Sequence, residues 1–117
     1  MNIEVIREYC LKKHYTDEAF PFDNATLVFR VMKKIFACID LKRPNLVVLK
    51  CNPDYALELR DHYNGIEGAW HWNKKYWNQV YLDRDVPASL TLGLIDHSYD
   101  EVYKKIPRKT KSLYETP

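Results

Sequence analysis

Apolar residues recur at helical spacing over the first positions of the chain. Ile3, Val5, Ile6, Tyr9 and Cys10 fall within one half of a helical wheel, and Asn2 can cap the turn before them. This predicts a first helix to about His14 with that face in the core. The period is then lost. From Tyr15 to Asn24 there is neither alternation nor helical repeat, and Pro21 pushes Phe20 into an extended conformation. The stretch reads as a loop that tucks Phe20 and Phe22 inward.

Thr26 to Met32 and Ile35 to Leu41 are β-rich runs separated by lysines and predict a hairpin, with Asn45 to Cys51 as a third strand after Lys42-Arg43-Pro44. With a two-residue loop, Leu27, Phe29 and Val31 share a face with Phe36 and Cys38, and Arg30 shares the other with Ala37 and Ile39. Both faces are apolar, so pattern alone specifies the register weakly. Asn52-Pro53-Asp54 is a strong helix start and Asn64-Gly65 a strong stop, with Ala56, Leu59 and Tyr63 inward between them.

A second hairpin follows, with strands Ala69 to Trp72 and Trp77 to Leu82 and a tip at Asn73-Lys74-Lys75. Pairing Trp72 with Trp77 places Trp70, Trp72, Trp77, Gln79 and Tyr81 on one face, and His71, Asn78, Val80 and Leu82 on the other. Trp77 and Tyr81 are expected in the core. If the aliphatic face is the core face, Trp70 and Trp72 become a platform on which bases stack, at about 1–3 kcal/mol each; if helices cover the aromatic face, the platform disappears. Pro87 then opens a last helix to about Ile106, burying Leu90, Leu94, Ile95, Val102 and Ile106, and Pro107 ends it. Helix, three strands, helix, two strands, helix predicts a two-layer α+β domain: a five-stranded antiparallel sheet with helices on one side.

Length and charge narrow the function classes. The 117 residues make one domain, 1–117, with a basic tail over 107–117, and 46% apolar with 29% charged residues is the globular norm. The net charge of +2 lies wholly in residues 70–117, which carry eight basic and six acidic side chains against ten of each before them. Lys104 to Lys111 alone holds five basic residues and no acidic one. Cys10, Cys38 and Cys51 are odd in number and widely spaced, which predicts neither a disulfide framework nor a zinc site and fits a reducing cytoplasm. No apolar run approaches 18 residues and no leader precedes the first helix, so neither membrane contact nor export is expected.

Catalytic signatures are missing as well. There is no glycine-rich phosphate loop, no nucleophile elbow and no metal-spaced cluster among only three glycines and four histidines. Asp96 and His97 are adjacent on a helix and point about 100° apart, so they form no carboxylate–imidazole pair. His97 is assigned to packing and hydrogen bonding. No catalytic or metal-ligating residue and no cofactor is assigned.

The residues that remain are basic tips with amides beside them. Lys74 and Lys75, Lys33 and Lys34, and the tail with Arg108 and Lys109 are three separate basic points that can meet phosphates; Asn73, Asn78 and Gln79 can reach base edges. Trp70 and Trp72 are the stacking candidates.

Several pieces of the chain resemble the MmcQ/YjbR family of small bacterial proteins: Phe20-Pro21-Phe22 and Asp23, Leu27-Val28-Phe29 with Val31, Leu49-Lys50-Cys51, Asn73-Lys74-Lys75 followed by Trp77-Asn78 and Val80-Tyr81-Leu82, and Ile95-Asp96-His97-Ser98-Tyr99. The similarity runs from about Ile3 to Lys109. It implies a fold like that of type III secretion chaperones, with helices on one side of a five-stranded sheet. It also implies DNA binding through two hairpins acting as wings. Where similar members have glycines in the first hairpin turn, this chain has Met32-Lys33-Lys34, so that turn must be built without the usual left-handed residue. The leading expectation is a non-enzymatic DNA-binding protein. The alternative is a protein-interaction module, or homodimer, using an aromatic sheet face. Iron binding ranks last, because the first helix offers only Glu4 and Glu8.

Overall fold

The computed structural model describes residues 1–115. Ten elements follow one another: α1 (Ile3–Leu11), β1 (Thr16–Ala19), β2 (Thr26–Val31), β3 (Lys34–Asp40), β4 (Leu46–Lys50), α2 (Pro53–His62), β5 (Ile66–Gly68), β6 (Trp77–Tyr81), α3 (Ala88–Tyr103) and α4 (Arg108–Glu115). The strands form one antiparallel sheet in the order β1-β2-β3-β4-β6-β5. It has six strands, not five. The expected basic tail is helical from Arg108 to Glu115; Thr116 and Pro117 lie outside the described residues.

The extra strand is the stretch expected as loop. Thr-Asp-Glu-Ala has no apolar alternation and three residues that strands disfavour, so charge rather than burial fastens it. Asp17 sits opposite Arg30, whose Nε and Nη2 donate to its carboxylate at 2.8 and 2.7 Å, and Lys33 Nζ adds a third bond at 2.7 Å. On the other face Glu18 takes the Arg7 guanidinium of α1 at 2.7 and 2.5 Å. Phe20 and Phe22 are not tucked in but stay 49% and 63% exposed. Asp23 instead closes the turn, its Oδ1 accepting the backbone N–H groups of Ala25 and Thr26 at 2.8 and 2.7 Å.

The Arg30 hydrogen bonds hold the Asp17 carboxyl down to about 2, from an ordinary 3.8. A lowered folded pKa contributes stability that is present above the ordinary value and lost as pH falls toward about 2. Asp17→Asn is therefore expected to cost about 1 kcal/mol at neutral pH after solvent screening, and to flatten the fall in stability below about pH 4. Urea unfolding of both proteins across that range checks it. Equal acid slopes would show that Asp17 contributes nothing.

α1, α2 and α3 all pack on one face. Ile6, Cys10, Ala56, Leu59, Leu94, Ile95 and Val102 from them meet Leu27, Phe29, Val31, Val47, Leu49 and Val80 of the sheet. The opposite face has a smaller cluster without any helical residue: Val28, Cys38, Leu46, Val48, Ala69 and Tyr81, with Ile35, Trp72 and Trp77 against it. Both faces of the central strands are thus apolar because both are covered, one by helices and one by loops.

The register of β2 on β3 differs from the expected one. The ladder runs Val31↔Lys34 and Arg30↔Ile35, then shifts so that Phe29 faces Ala37 and Val28 faces Cys38. The extra residue, Phe36, makes a bulge. Phe36 and Ala37 both enter the helix-side core, and Cys38 moves to the other face with Val28 rather than joining Phe29. The turn itself has Met32 at φ 48° and Lys33 at φ 69°, two left-handed residues of a tight hairpin made without glycine. Met32 is buried and its N–H donates to Tyr15 O at 2.9 Å, so packing holds the turn.

The bulge also opens the sheet. β3 and β4 share only the pairs Ala37↔Leu49 and Cys38↔Val48. Where the ladder ends, Ser98 of α3 enters: its Oγ accepts from Lys50 N at 2.9 Å and donates to Phe36 O at 2.5 Å. Its neighbours have similar work. Asp96 accepts from Tyr9 Oη and Lys13 Nζ, His97 Nε2 accepts from Asn52 N at 3.1 Å, and Tyr99 Oη donates to His14 O at 2.7 Å. Ile95-Asp96-His97-Ser98-Tyr99 pins α3 to α1, α2 and the sheet, and His97 has the hydrogen-bonding role expected for it.

Helix ends follow local rules with one exception. The side chains of Asn2 and Asn52 cap α1 and α2. α2, however, stops at His62 with Tyr63 extended, and Gly65 is not left-handed. Glycine fits there because a Cβ would crowd Arg84, Asp85 and Val86, each 3.0 Å away.

Candidate nucleic-acid interface

The expected strand Ala69 to Trp72 does not form. β6 pairs instead with Ile66–Gly68, and residues 69–76 make a loop that covers the helix-free face of the sheet. The loop is built from turns: Tyr76 N and Trp77 N both donate to Asn73 O at 3.0 Å, and Lys75 N donates to Asn73 Oδ1 at 3.0 Å. His71, at φ 66°, supplies the reversal. Arg60 of α2 donates from Nε to Asn78 Oδ1 at 2.7 Å and from Nη2 to Lys74 O. The Lys74 stem packs on Gly68, where a Cβ would lie 3.0 Å from it.

This geometry removes two of the three amides from base reading. Asn73 stays exposed, with its Oδ1 held in its own turn. Asn78 and Gln79 are each 2% exposed, Asn78 between Arg60 and Ala56 O, and Gln79 bonded to Trp70 N, Glu67 and Tyr81 Oη. The alternation of β6 is as expected, with Asn78 and Val80 toward the helices and Trp77, Gln79 and Tyr81 away. Tyr81 is buried and Trp77 half-buried. Sequence reasoning put the covering layer on the wrong elements: this aromatic face lies under a loop.

Two grooves adjoin the 69–76 loop. One, of about 420 Å³, is lined by Lys33, Lys34, Lys50, Lys105, Ile35, Trp72, Trp77, Val102 and Ile106. No carboxylate lines it. Lys33 is paired with Asp17, whereas Lys34, Lys50 and Lys105 have no carboxylate at ion-pair distance among the described residues. Burial lowers the Lys50 ammonium below its ordinary pKa, and Lys105 nearby lowers it further. Tyr76 stands among three lysines, with Lys50 at 6.0 Å and Lys75 and Lys105 at 5.5 Å from its ring centre.

The second groove, of about 360 Å³, runs between the Phe22 loop and the 69–76 loop. Cys38, Leu46 and Val48 floor it, and Phe22, Trp70 and Trp72 wall it. Trp70 is 48% exposed, with the Arg43 guanidinium 4.2 Å from its ring centre. Trp72, half-buried and 4.5 Å from Trp77 between ring centres, belongs to both grooves.

Of the residues expected to touch phosphate, Lys33 and Lys34 come to the basic groove and Lys75 stands beside it at Tyr76. Lys74 is exposed, with its stem against Gly68, and lines neither groove. Arg108 and Lys109 are exposed on α4 and line neither groove. Sequence reasoning missed Lys50 and Tyr76, and had Lys105 only as part of the Lys104 to Lys111 tail. Lys50 could have been found as the outward neighbour, two residues on, of Val48 in β4. All three cysteines are buried, their thiols pushed up to about 12 by burial, so none is a reactive thiolate. No helix is long and apolar enough to cross a membrane, and no three metal-ligating side chains converge, among the described residues.

The fold and this face define a class: small α+β domains whose antiparallel sheet is backed by helices and carries a loop-covered aromatic face edged by lysines. The chain belongs to the YjbR family, whose model matches residues 11–101. It is 28% identical over 114 residues to the YjbR protein of Escherichia coli strain K12, covering 97% of each chain. It is 26% identical over 107 residues to the YbdF protein of Escherichia coli O157:H7, covering 91% of this chain and 88% of that one. Among solved structures, a Deinococcus radiodurans protein superposes with a TM-score of 0.89 at 34% identity, over 98% of this chain and 88% of that chain. A Pseudomonas syringae protein superposes with 0.74 at 26% identity, over 87% and 99%.

Proposed function

We propose that this protein binds DNA, without catalysis, through the lysine groove. The observation that carries the reading is the convergence of Lys34, Lys50 and Lys105, from the start of β3, the end of β4 and just beyond α3, on one trough lined by no carboxylate. An anion there relieves both the repulsion between the ammonium groups and the burial of Lys50. Both tips are tied into the body, one through Met32 and one through Arg60, so contact falls in the trough between them rather than on projecting wings. The three free, buried cysteines fit a cytoplasmic protein. Titration of labelled DNA at low salt tests the reading. Binding whose affinity falls linearly with the logarithm of salt is expected, and none tighter than about 0.1 mM would overturn it.

A second reading, a protein partner or second copy on the same face, draws on Phe20, Phe22 and Trp70, all large and exposed. It requires association that Phe22→Ala abolishes. A monomer by sedimentation at high micromolar concentration removes the homodimer form.

A further inference from the structure

The two grooves lie next to each other along β4. Cys38 pairs with Val48 on the floor of the aromatic groove, and Lys50 is the next residue of β4 pointing to the same face, about 7 Å further along. Trp72 is a wall of both. Resting on the DNA-binding reading, we infer that the strand taken is single, with an unpaired base seated between Phe22 and Trp70 and the neighbouring phosphates on Lys34, Lys50 and Lys105.

Three observations support a single strand over a duplex. The aromatic groove, at about 360 Å³, has the size of a site for a ring-bearing group, and a paired base inside a duplex cannot enter it. Its apolar surface is aromatic where a base would stack, and Arg43, stacked on Trp70, adds a guanidinium plane and donors for base acceptors. Finally, two of the three amides that would have read base edges in a duplex groove, Asn78 and Gln79, are buried and hydrogen-bonded internally. What remains is a π-surface beside a cationic trough, the combination that recognises unpaired bases with their backbone.

The test compares oligothymidylate of about 12 nucleotides, a duplex of the same length and the matching oligouridylate, by tryptophan fluorescence and anisotropy. The single strand is expected to bind at least about tenfold tighter than duplex, and Trp70→Ala and Phe22→Ala, both at exposed positions, to weaken it about tenfold without changing the salt slope. Lys34→Glu is expected to weaken it and to reduce that slope. Equal or tighter duplex binding would overturn the inference and leave DNA binding standing, as would normal binding by both aromatic variants when Lys34→Glu is impaired. Tighter oligouridylate binding would reassign the site to RNA and overturn it. Loss of every interaction would overturn the DNA-binding reading itself.

Discussion

Replacing Ser98 with alanine is expected to lower the unfolding free energy by about 2–4 kcal/mol, the largest effect of any single conservative change outside the large apolar core. Ser98 is completely buried, and its hydroxyl is at once acceptor for Lys50 N and donor to Phe36 O. Alanine leaves a backbone N–H and a backbone carbonyl inside the protein, each costing about 1–3 kcal/mol when unpaired. The bulge prevents β3 and β4 from closing on each other to satisfy them, because Phe36 is the residue that lacks a partner in the β2–β3 ladder. The melting temperature should fall by roughly 10 °C in a domain of this size. Calorimetry checks it. A loss under about 0.5 kcal/mol would mean that the strands pair directly once the hydroxyl is gone.

The largest effect on binding is expected from Lys34→Glu combined with Lys105→Glu. Both side chains are exposed and line the trough, one at the start of β3 and one beyond the end of α3. Folding should be unaffected, since neither has an ion pair among the described residues. Two charge-assisted contacts at about 1.5 kcal/mol or more each correspond to at least a hundredfold loss of DNA affinity. The slope of log affinity against log salt should shrink by about 1.4 for a single strand. Anisotropy titrations over a salt series measure both. Unchanged affinity in a double variant that melts normally would remove the trough from the binding surface.

Where the chain obeys local chemistry, its sequence was sufficient. Asn2 and Asn52-Pro53 announce α1 and α2, the apolar arc of α3 announces its buried side, and the outward face of β6 follows from alternation. β1 was illegible because two ion pairs, formed with Arg30 and Arg7 at distances of 11 to 13 residues along the chain, do what apolar alternation does elsewhere. The Phe36 bulge was illegible because both faces of β2 and β3 are apolar, so a slipped register buries as much as a regular one. The candidate site was half visible. Lys33, Lys34, Lys75 and the tryptophans stood out by composition. Lys50 did not, and nothing in the sequence joined it to Lys105 of the basic tail, because only the sheet topology brings the end of β4 beside the end of α3. Asn78 and Gln79 looked available because sequence shows an amide but not the Arg60 and Glu67 that occupy it.

The narrow β3–β4 seam has a mechanical meaning. Two registered pairs and one serine join a leaf made of β1, β2 and β3 to another made of β4, β6 and β5, whereas five pairs bind β4 to β6. Both grooves straddle that seam, one over Cys38 and Val48, the other between Ile35 and Lys50. A strand lying along them would act as a splint across the weakest line of the sheet, adding to the hold that Ser98 of α3 already gives it.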